Sequence, residues 1–260
     1  MKKYLRLVLF LLSFTAFFAC EDLIELEVND APPALVIVGE VTNQEVSHEV
    51  RVHRTVPVSS TSQFDPVSRA AVSLTDSLGR RFAFSEVEPG LYRSQPFRGR
   101  VGMQYQLQVE VENVIYEATS KMPRQVPVDS IGTATSNFPG NDNIYITMKF
   151  MDPIGEPNFY RYIMSINESP YIYMSVFDDK FNDGRMVTHE LINFDVELKK
   201  EDMVRVRRQY ISQDVYSFWQ VVSSANPGAS SPANPPSNFT NGALGYFSAH
   251  SFNEYSIYVP

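Results

Sequence analysis

Cysteine occurs once in 260 residues, at Cys20, so the chain can form no internal disulfide and its fold must stand on core burial. Positive charge is also scarce. With 22 Lys and Arg against 30 Asp and Glu the formal net charge is -8. A surface that tracks nucleic-acid phosphates needs the opposite sign, so no nucleic-acid partner is expected. Along the sequence basic residues gather once, as Arg205, Arg207 and Arg208 beside Lys199 and Lys200, with Glu197, Glu201 and Asp202 among them. That mixture predicts one polar strand face with charge neighbours. Enzyme signatures are missing too. There is no G-x-S-x-G, G-x-x-x-x-G-K, G-x-G-x-x-G or H-E-x-x-H pattern. His48-Glu49 and His189-Glu190 each lack a second histidine four residues on, and both histidines are expected as partly exposed strand residues. No catalytic residue and no cofactor is assigned, and the chain is expected not to be an enzyme.

Long apolar runs are confined to the start. Lys2, Lys3 and Arg6 precede an apolar stretch from Leu7 to Ala19. Its helical length is ~20 Å, short of the ~30 Å core that a spanning helix must cross. Residues 1–19 therefore read as a cleaved signal. Phe17-Phe18-Ala19-Cys20 resembles a bacterial lipoprotein signal, which would leave Cys20 acylated and the chain anchored to a membrane by lipid. Loss of Lys2, Lys3 and Arg6 leaves 19 basic groups against 30 acidic ones, a net charge of -11. Residues 20–34 form an acidic tether that starts with Glu21 and Asp22 and ends at Pro32-Pro33.

The rest is patterned mainly as strand. Tyr105, Leu107, Val109 and Val111 alternate with Gln104, Gln106, Gln108 and Glu110, the period of two for a sheet with one buried face. Val72 and Leu74 lead into Asp76-Ser77-Leu78-Gly79, and Phe82 and Phe84 lead out, which predicts a hairpin. Residues 35–125 are expected to form an antiparallel β-sandwich of immunoglobulin-like or transthyretin-like kind. Pro123 and Pro127 punctuate the pattern, and residues 126–260 are expected as a second β-rich module. There Ile144, Ile146, Met148 and Phe150 alternate with polar neighbours, and Tyr160, Tyr162, Met164 and Ile166 follow. Val215, Phe218, Trp219 and Val222 fall at i, i+3, i+4 and i+7, predicting one amphipathic α-helix near 212–225 capped by Ser212, its aromatic stripe packed in the core. Tyr255, Ile257 and Val259 mark a last strand.

Asp179-Lys180-Phe181-Asn182-Asp183-Gly184 with Glu190 partly fits a calcium loop, but Phe181 takes a ligand position. A hairpin turn accounts for the same residues, and no metal site is assigned.

Several phrases taken in order resemble the Bacteroidota lipoprotein family described as domain of unknown function 4249. They include Leu35-Val36-Ile37-Val38-Gly39-Glu40, Glu88-Pro89-Gly90-Leu91-Tyr92, Asn158-Phe159-Tyr160 and Gly245-Tyr246-Phe247-Ser248. The resemblance implies a lipid-anchored protein on the outer face of the outer membrane, with Glu21 and Asp22 as its export signal. It also implies an accessory role beside a TonB-dependent transporter in nutrient binding or uptake. An adhesive or structural surface protein is the alternative, and a glycan- or peptide-processing enzyme a lesser one. Asp76-Ser77-Leu78 and Asp129-Ser130-Ile131 resemble the Bacteroidota O-glycosylation motif, at Ser77 and Ser130. The loop carrying Pro235, Pro236, Asn238, Asn241, Tyr246 and Phe247 is the candidate interaction surface, with packing over a sheet edge as its structural alternative.

Overall fold

The computed structural model describes residues 32–57, 60, 62, 64–136, 143–193, 195–224 and 234–260. In the first part of the chain lie β1 (Leu35–Thr42), β2 (Glu49–Arg54), β3 (Asp65–Pro66), β4 (Ala71–Asp76), β5 (Arg81–Glu88) and β6 (Leu91–Ser94). They are followed by β7 (Gln104–Val111), β8 (Val114–Lys121), β9 (Ser130–Thr135), β10 (Ile144–Met151) and β11 (Phe159–Ile166). The chain then forms β12 (Ile172–Asp178), β13 (Met186–Leu191), β14 (Met203–Ile211), helix α1 (Gln213–Ser224) and β15 (Leu244–Tyr258). The protein is mainly β and sandwich-like, with α1 the single helix among the described residues.

Strands are ordered β12-β11-β14-β15-β1-β2-β6-β5-β4-β7-β8 in one sheet, with β3 beside β2, and β13-β10-β9 in a second. Alternation decides which side chains go inward. Tyr105, Leu107 and Val109 of β7 are buried while Gln104, Gln106 and Glu110 are exposed. The first core joins these to Ile37, Val52, Leu74 and Tyr92. It also takes Phe239, Ala243, Phe247 and Ala249 from the far end of the chain. The sheet curls until β8 returns to β15, where the Ala249 N–H donates to Ser120 Oγ at 2.9 Å. The second core lies between the β11–β14–β15 region and the small sheet, around Phe150, Tyr160, Tyr162, Met164, Val206 and Tyr210.

β15 joins the two cores. Its first half pairs parallel with β1, Val36 opposite Leu244 through Thr42 opposite His250, and its second half pairs antiparallel with β14. Within residues 35–125 every strand pair is antiparallel, as expected, and the one parallel pair is made with β15 from the far end of the chain. Where β1 ends, Asn43 continues its role with a side chain: Oδ1 accepts from the Phe252 N–H and Nδ2 donates to the Phe252 carbonyl. Residues 33–260 make one compact unit, so the two expected modules are two cores bound together by a shared strand. Gly245 permits the join. It has φ +91°, and a Cβ there would run into the Ile37 carbonyl oxygen.

Helix α1 covers the face of β11, β12 and β15 turned away from the second core, through Val215, Tyr216, Phe218 and Trp219 against Phe159, Val176 and Tyr246. The expected capping by Ser212 is corrected. Its Oγ is buried without a partner among the described residues, and only its backbone carbonyl engages the helix, accepting from the Tyr216 N–H.

Candidate functional site

The loop before β15 is built into the fold, and Tyr246 and Phe247, expected in that loop, belong to β15 itself. Phe247 is fully buried in the first core and Tyr246 lies beneath α1, donating its hydroxyl to Glu40 Oε1 at 2.8 Å. Asn238 clamps that pair in place: its Nδ2 donates to the Phe247 carbonyl and its Oδ1 accepts from the Phe247 N–H, both at 2.9 Å. Asn241 Nδ2 donates to the Ile115 carbonyl, and Thr240 exchanges hydrogen bonds with Glu117. These contacts lay residues 239–241 along β8 and satisfy backbone groups that a bare edge strand would leave open. Asn238, Tyr246 and Phe247 therefore hold structure, as the edge-covering alternative requires. Pro236 and Asn241 keep exposed surface, and Pro235 is half-buried.

What the loop does build is a groove of about 540 Å³. One wall is Pro236, Ser237, Asn238 and Thr240; the other is Asp214 and Ser217 of α1; the floor is Gln106 of β7 with Glu117 and Thr119 of β8. Hydroxyls, amides and two carboxylates line it together with Ala118 and Pro236, and no basic group does so among the described residues. Such a surface suits a neutral, hydroxyl-rich ligand, because the hydroxyls and amides can donate or accept and the two carboxylates can accept from ligand hydroxyls. Asp214, Ser217, Gln106 and Thr119 are site residues that sequence reading misses, since strand and helix positions far apart in the chain meet only in the fold.

Beneath α1 runs a polar chain. Ser248 Oγ meets His250 Nδ1 at 3.1 Å, His250 Nε2 meets Gln209 Nε2 at 3.2 Å, and Gln209 Oε1 accepts from Arg161 Nη1 at 2.9 Å. Arg161 then lies 3.9 Å from Glu40 Oε1 and stacks 3.8 Å above the Trp219 ring. With the Gln209 amide donating to Nε2, the imidazole proton sits on Nδ1 and donates to Ser248. This histidine therefore cannot take a proton from Ser248, and both side chains are buried. Burial, with Arg161 and Arg207 adding to it against the pull of Glu40, lowers the His250 pKa to about 4. Desolvation opposes ionisation of Glu40, yet His250, Arg161 and the Tyr246 hydroxyl together hold its pKa below the usual value.

Three expectations about charged or titratable residues are corrected by burial. Arg205 and Arg207 are half-exposed, but Arg208 points to the opposite face of β14 and is fully buried. Its guanidinium sits 4.1 Å over Tyr160 and 5.2 Å over Tyr210, with Nη1 donating to the Val126 carbonyl at 3.4 Å. His189 is buried beside it, stacked on Phe177 with ring centres 4.0 Å apart and bonded through Nδ1 to the Tyr162 hydroxyl. Desolvation, then Arg208, lowers its pKa to about 3. His48 is buried in the first half, Nε2 to the Phe97 carbonyl at 2.9 Å, and burial lowers its pKa. All three occupy the inward positions of their strands or strand entries, and each is paid in hydrogen bonds or aromatic faces rather than water.

The remaining sequence-derived positions that the structure describes are separate from the groove. Cys20, Glu21 and Asp22 lie outside the described residues. Ser77 and Ser130 are exposed, Ser77 in the β4–β5 turn that Asp76 organises by accepting from the Leu78 and Arg80 N–H groups. Of the calcium-loop residues, Asp179 Oδ2 accepts from the Asn158 N–H and Asp183 Oδ1 from the Gly155 N–H, tying one turn to another. Glu190 points outward from β13. Among the described residues no helix is long and apolar enough to cross a membrane.

A model of the family described as Domain of unknown function (DUF4249) matches residues 21–256. The chain belongs to this family. The DUF4249 match runs through both cores, from the segment before β1 to within β15. A comparison with curated proteins finds no match.

Proposed function

We propose that this DUF4249 protein is a non-enzymatic surface lipoprotein, anchored at the outer membrane through Cys20, that captures a nutrient for a TonB-dependent transporter. The observation that supports a binding role is the groove between residues 236–240, α1 and the β7–β8 face. Its polar lining is uncharged or acidic, and its walls are fixed by Asn238 and Thr240. A rigid scaffold carrying convergent donors and acceptors recognises a ligand at little ordering cost. A hydroxyl-rich molecule such as an oligosaccharide fits that lining. Gln106→Ala with Thr119→Ala, both exposed, tests the reading. Loss of oligosaccharide binding with unchanged thermal unfolding is expected. Unchanged binding across a panel of neutral glycans, or none by the parent protein, would contradict it.

One observation favours an enzymatic second reading: the carboxylates of Glu117 and Asp214 line the same groove. Glycoside hydrolysis uses two carboxyl groups across a scissile bond. Release of reducing ends by the parent protein, abolished in Glu117→Gln and in Asp214→Asn, would establish it in place of the first.

A further inference from the structure

The fold gathers basic charge where the sequence does not. Arg80, from the β4–β5 turn, and Arg98 and Arg100, from the segment after β6, line one concavity of about 430 Å³. Its apolar lining comes from Phe82, Pro96 and Phe97, the two rings stacked at 4.1 Å with 24° between planes. Three guanidinium groups share this concave surface with a single carboxylate, Glu45.

The platform that carries them is rigid. Phe97 donates its N–H to the Val46 carbonyl, Gly99 to the Thr42 carbonyl and Arg100 to the Tyr105 hydroxyl. His48 holds the Phe97 carbonyl from within. Gly99 is packed so closely that a Cβ would lie 2.5 Å from the Thr42 oxygen and 2.6 Å from Met122 Cε. Arg98 and Arg100, two residues apart around it, are thereby presented from fixed backbone. Arg80 is oriented by Asp76, whose buried carboxylate accepts its Nε at 2.6 Å.

Their counter-charges differ. Asp76 is saturated by three donors and faces Arg80 alone. Arg100 has no ion pair among the described residues. Arg98 is met only by Glu45, at 3.7 Å, with both side chains nearly two-thirds exposed. That contact is weak and solvent-screened, so Glu45 occupies the position a stronger anion would take.

We propose that this concavity binds a phosphoryl group carried on a sugar or a lipid headgroup. A phosphoryl group offers several terminal oxygens to guanidinium forks, and paired geometry of that kind distinguishes arginine from a point charge. The volume exceeds that of a phosphate alone, and the stacked phenylalanines supply an apolar floor for what carries it. The site is distinct from the groove beside α1, and it stands whether or not that groove binds a nutrient.

The test is calorimetric titration of the full chain in an uncharged detergent with glucose 6-phosphate, inorganic pyrophosphate and short-chain phosphatidic acid, against glucose as the uncharged control. Parent protein is expected to bind phosphoryl probes and not glucose, with affinity falling as salt rises. Arg98→Gln with Arg100→Gln should weaken binding by at least about tenfold, since each charged hydrogen bond contributes on that scale. Glu45→Gln should strengthen it, a gain that loss of folding cannot mimic. Arg51→Gln, an exposed arginine outside the concavity, should change nothing. Binding of glucose 6-phosphate assigns the site to a free sugar phosphate, binding of phosphatidic acid alone assigns it to a membrane headgroup, and binding of pyrophosphate alone would overturn the assignment to a carried phosphoryl group. Absence of binding by every phosphoryl probe, or binding indifferent to all of Arg98, Arg100 and Glu45, would overturn the proposal.

Discussion

The guanidinium of Arg208 lies 3.8 Å from the centre of the Phe150 ring, at the middle of the second core. No carboxylate lies within ion-pair distance of it among the described residues, and its Nε and Nη2 have no partner there. The charge is held by ring faces and by one carbonyl, an arrangement that costs desolvation and recovers part of it as cation–π attraction. Arg208→Met keeps the volume and removes the charge, so chemical denaturation should show stability within about 1 kcal/mol of the parent, or above it. Arg208→Ala leaves a cavity among the aromatics and should cost about 3 kcal/mol or more. A Met variant as damaged as the Ala variant would show that the charge itself holds this core.

Phe247→Ala should destabilise the protein by about 3–5 kcal/mol, the range for truncating a buried phenylalanine. Asn238→Ala should cost about 1–3 kcal/mol, because it leaves the Phe247 N–H and carbonyl without their side-chain partner. Urea unfolding measures both. An unchanged midpoint for Phe247→Ala would mean that β15 does not enter the first core.

Stability should fall as pH drops from about 7 to 5. His189 and His250 are held near 3 and 4, below their ordinary 6.5, so at intermediate pH the unfolded chain binds protons that the native protein does not. Their contribution is complete above 6.5 and is lost as pH falls towards the folded values. The slope reaches about 1.4 kcal/mol per pH unit for each histidine, or roughly 2 kcal/mol apiece by pH 5. Denaturation at the two pH values checks the parent, and His189→Gln should be less stable at pH 7 but less pH-sensitive. An equal slope in that variant would remove His189 from the explanation.

Where one sheet face is buried, the sequence is readable. Gln104 to Val111 is β7 to the residue, and the helix expected at 212–225 is Gln213–Ser224. The period disappears where both faces are covered. Gly245 to Ser251 is buried at every position, with the first core on one side and α1 or the polar chain on the other. A segment reading Gly-Tyr-Phe-Ser-Ala-His-Ser therefore looks like a loop although it is the strand that joins the two cores. Arg208 and His189 show the same limit from another side. Their alternation places them inward, but polar identity suggests the surface until the aromatic partners are in place. The groove is assembled from residues far apart in the chain, and the three-arginine concavity brings Arg80 from one turn beside Arg98 and Arg100 from another segment, so no local pattern announces either.

Cys20→Ala should move the protein from the membrane pellet to the soluble fraction of lysed cells if a lipid on that cysteine is its anchor. Retention in the pellet after a carbonate wash would contradict lipid anchoring at Cys20.

The proposed accessory role is tested most directly by purification from native outer membranes in mild detergent through a C-terminal tag. Mass spectrometry should find a β-barrel TonB-dependent transporter in stoichiometric amount with this protein. Recovery of the protein alone, under conditions that keep established transporter complexes intact, would contradict it.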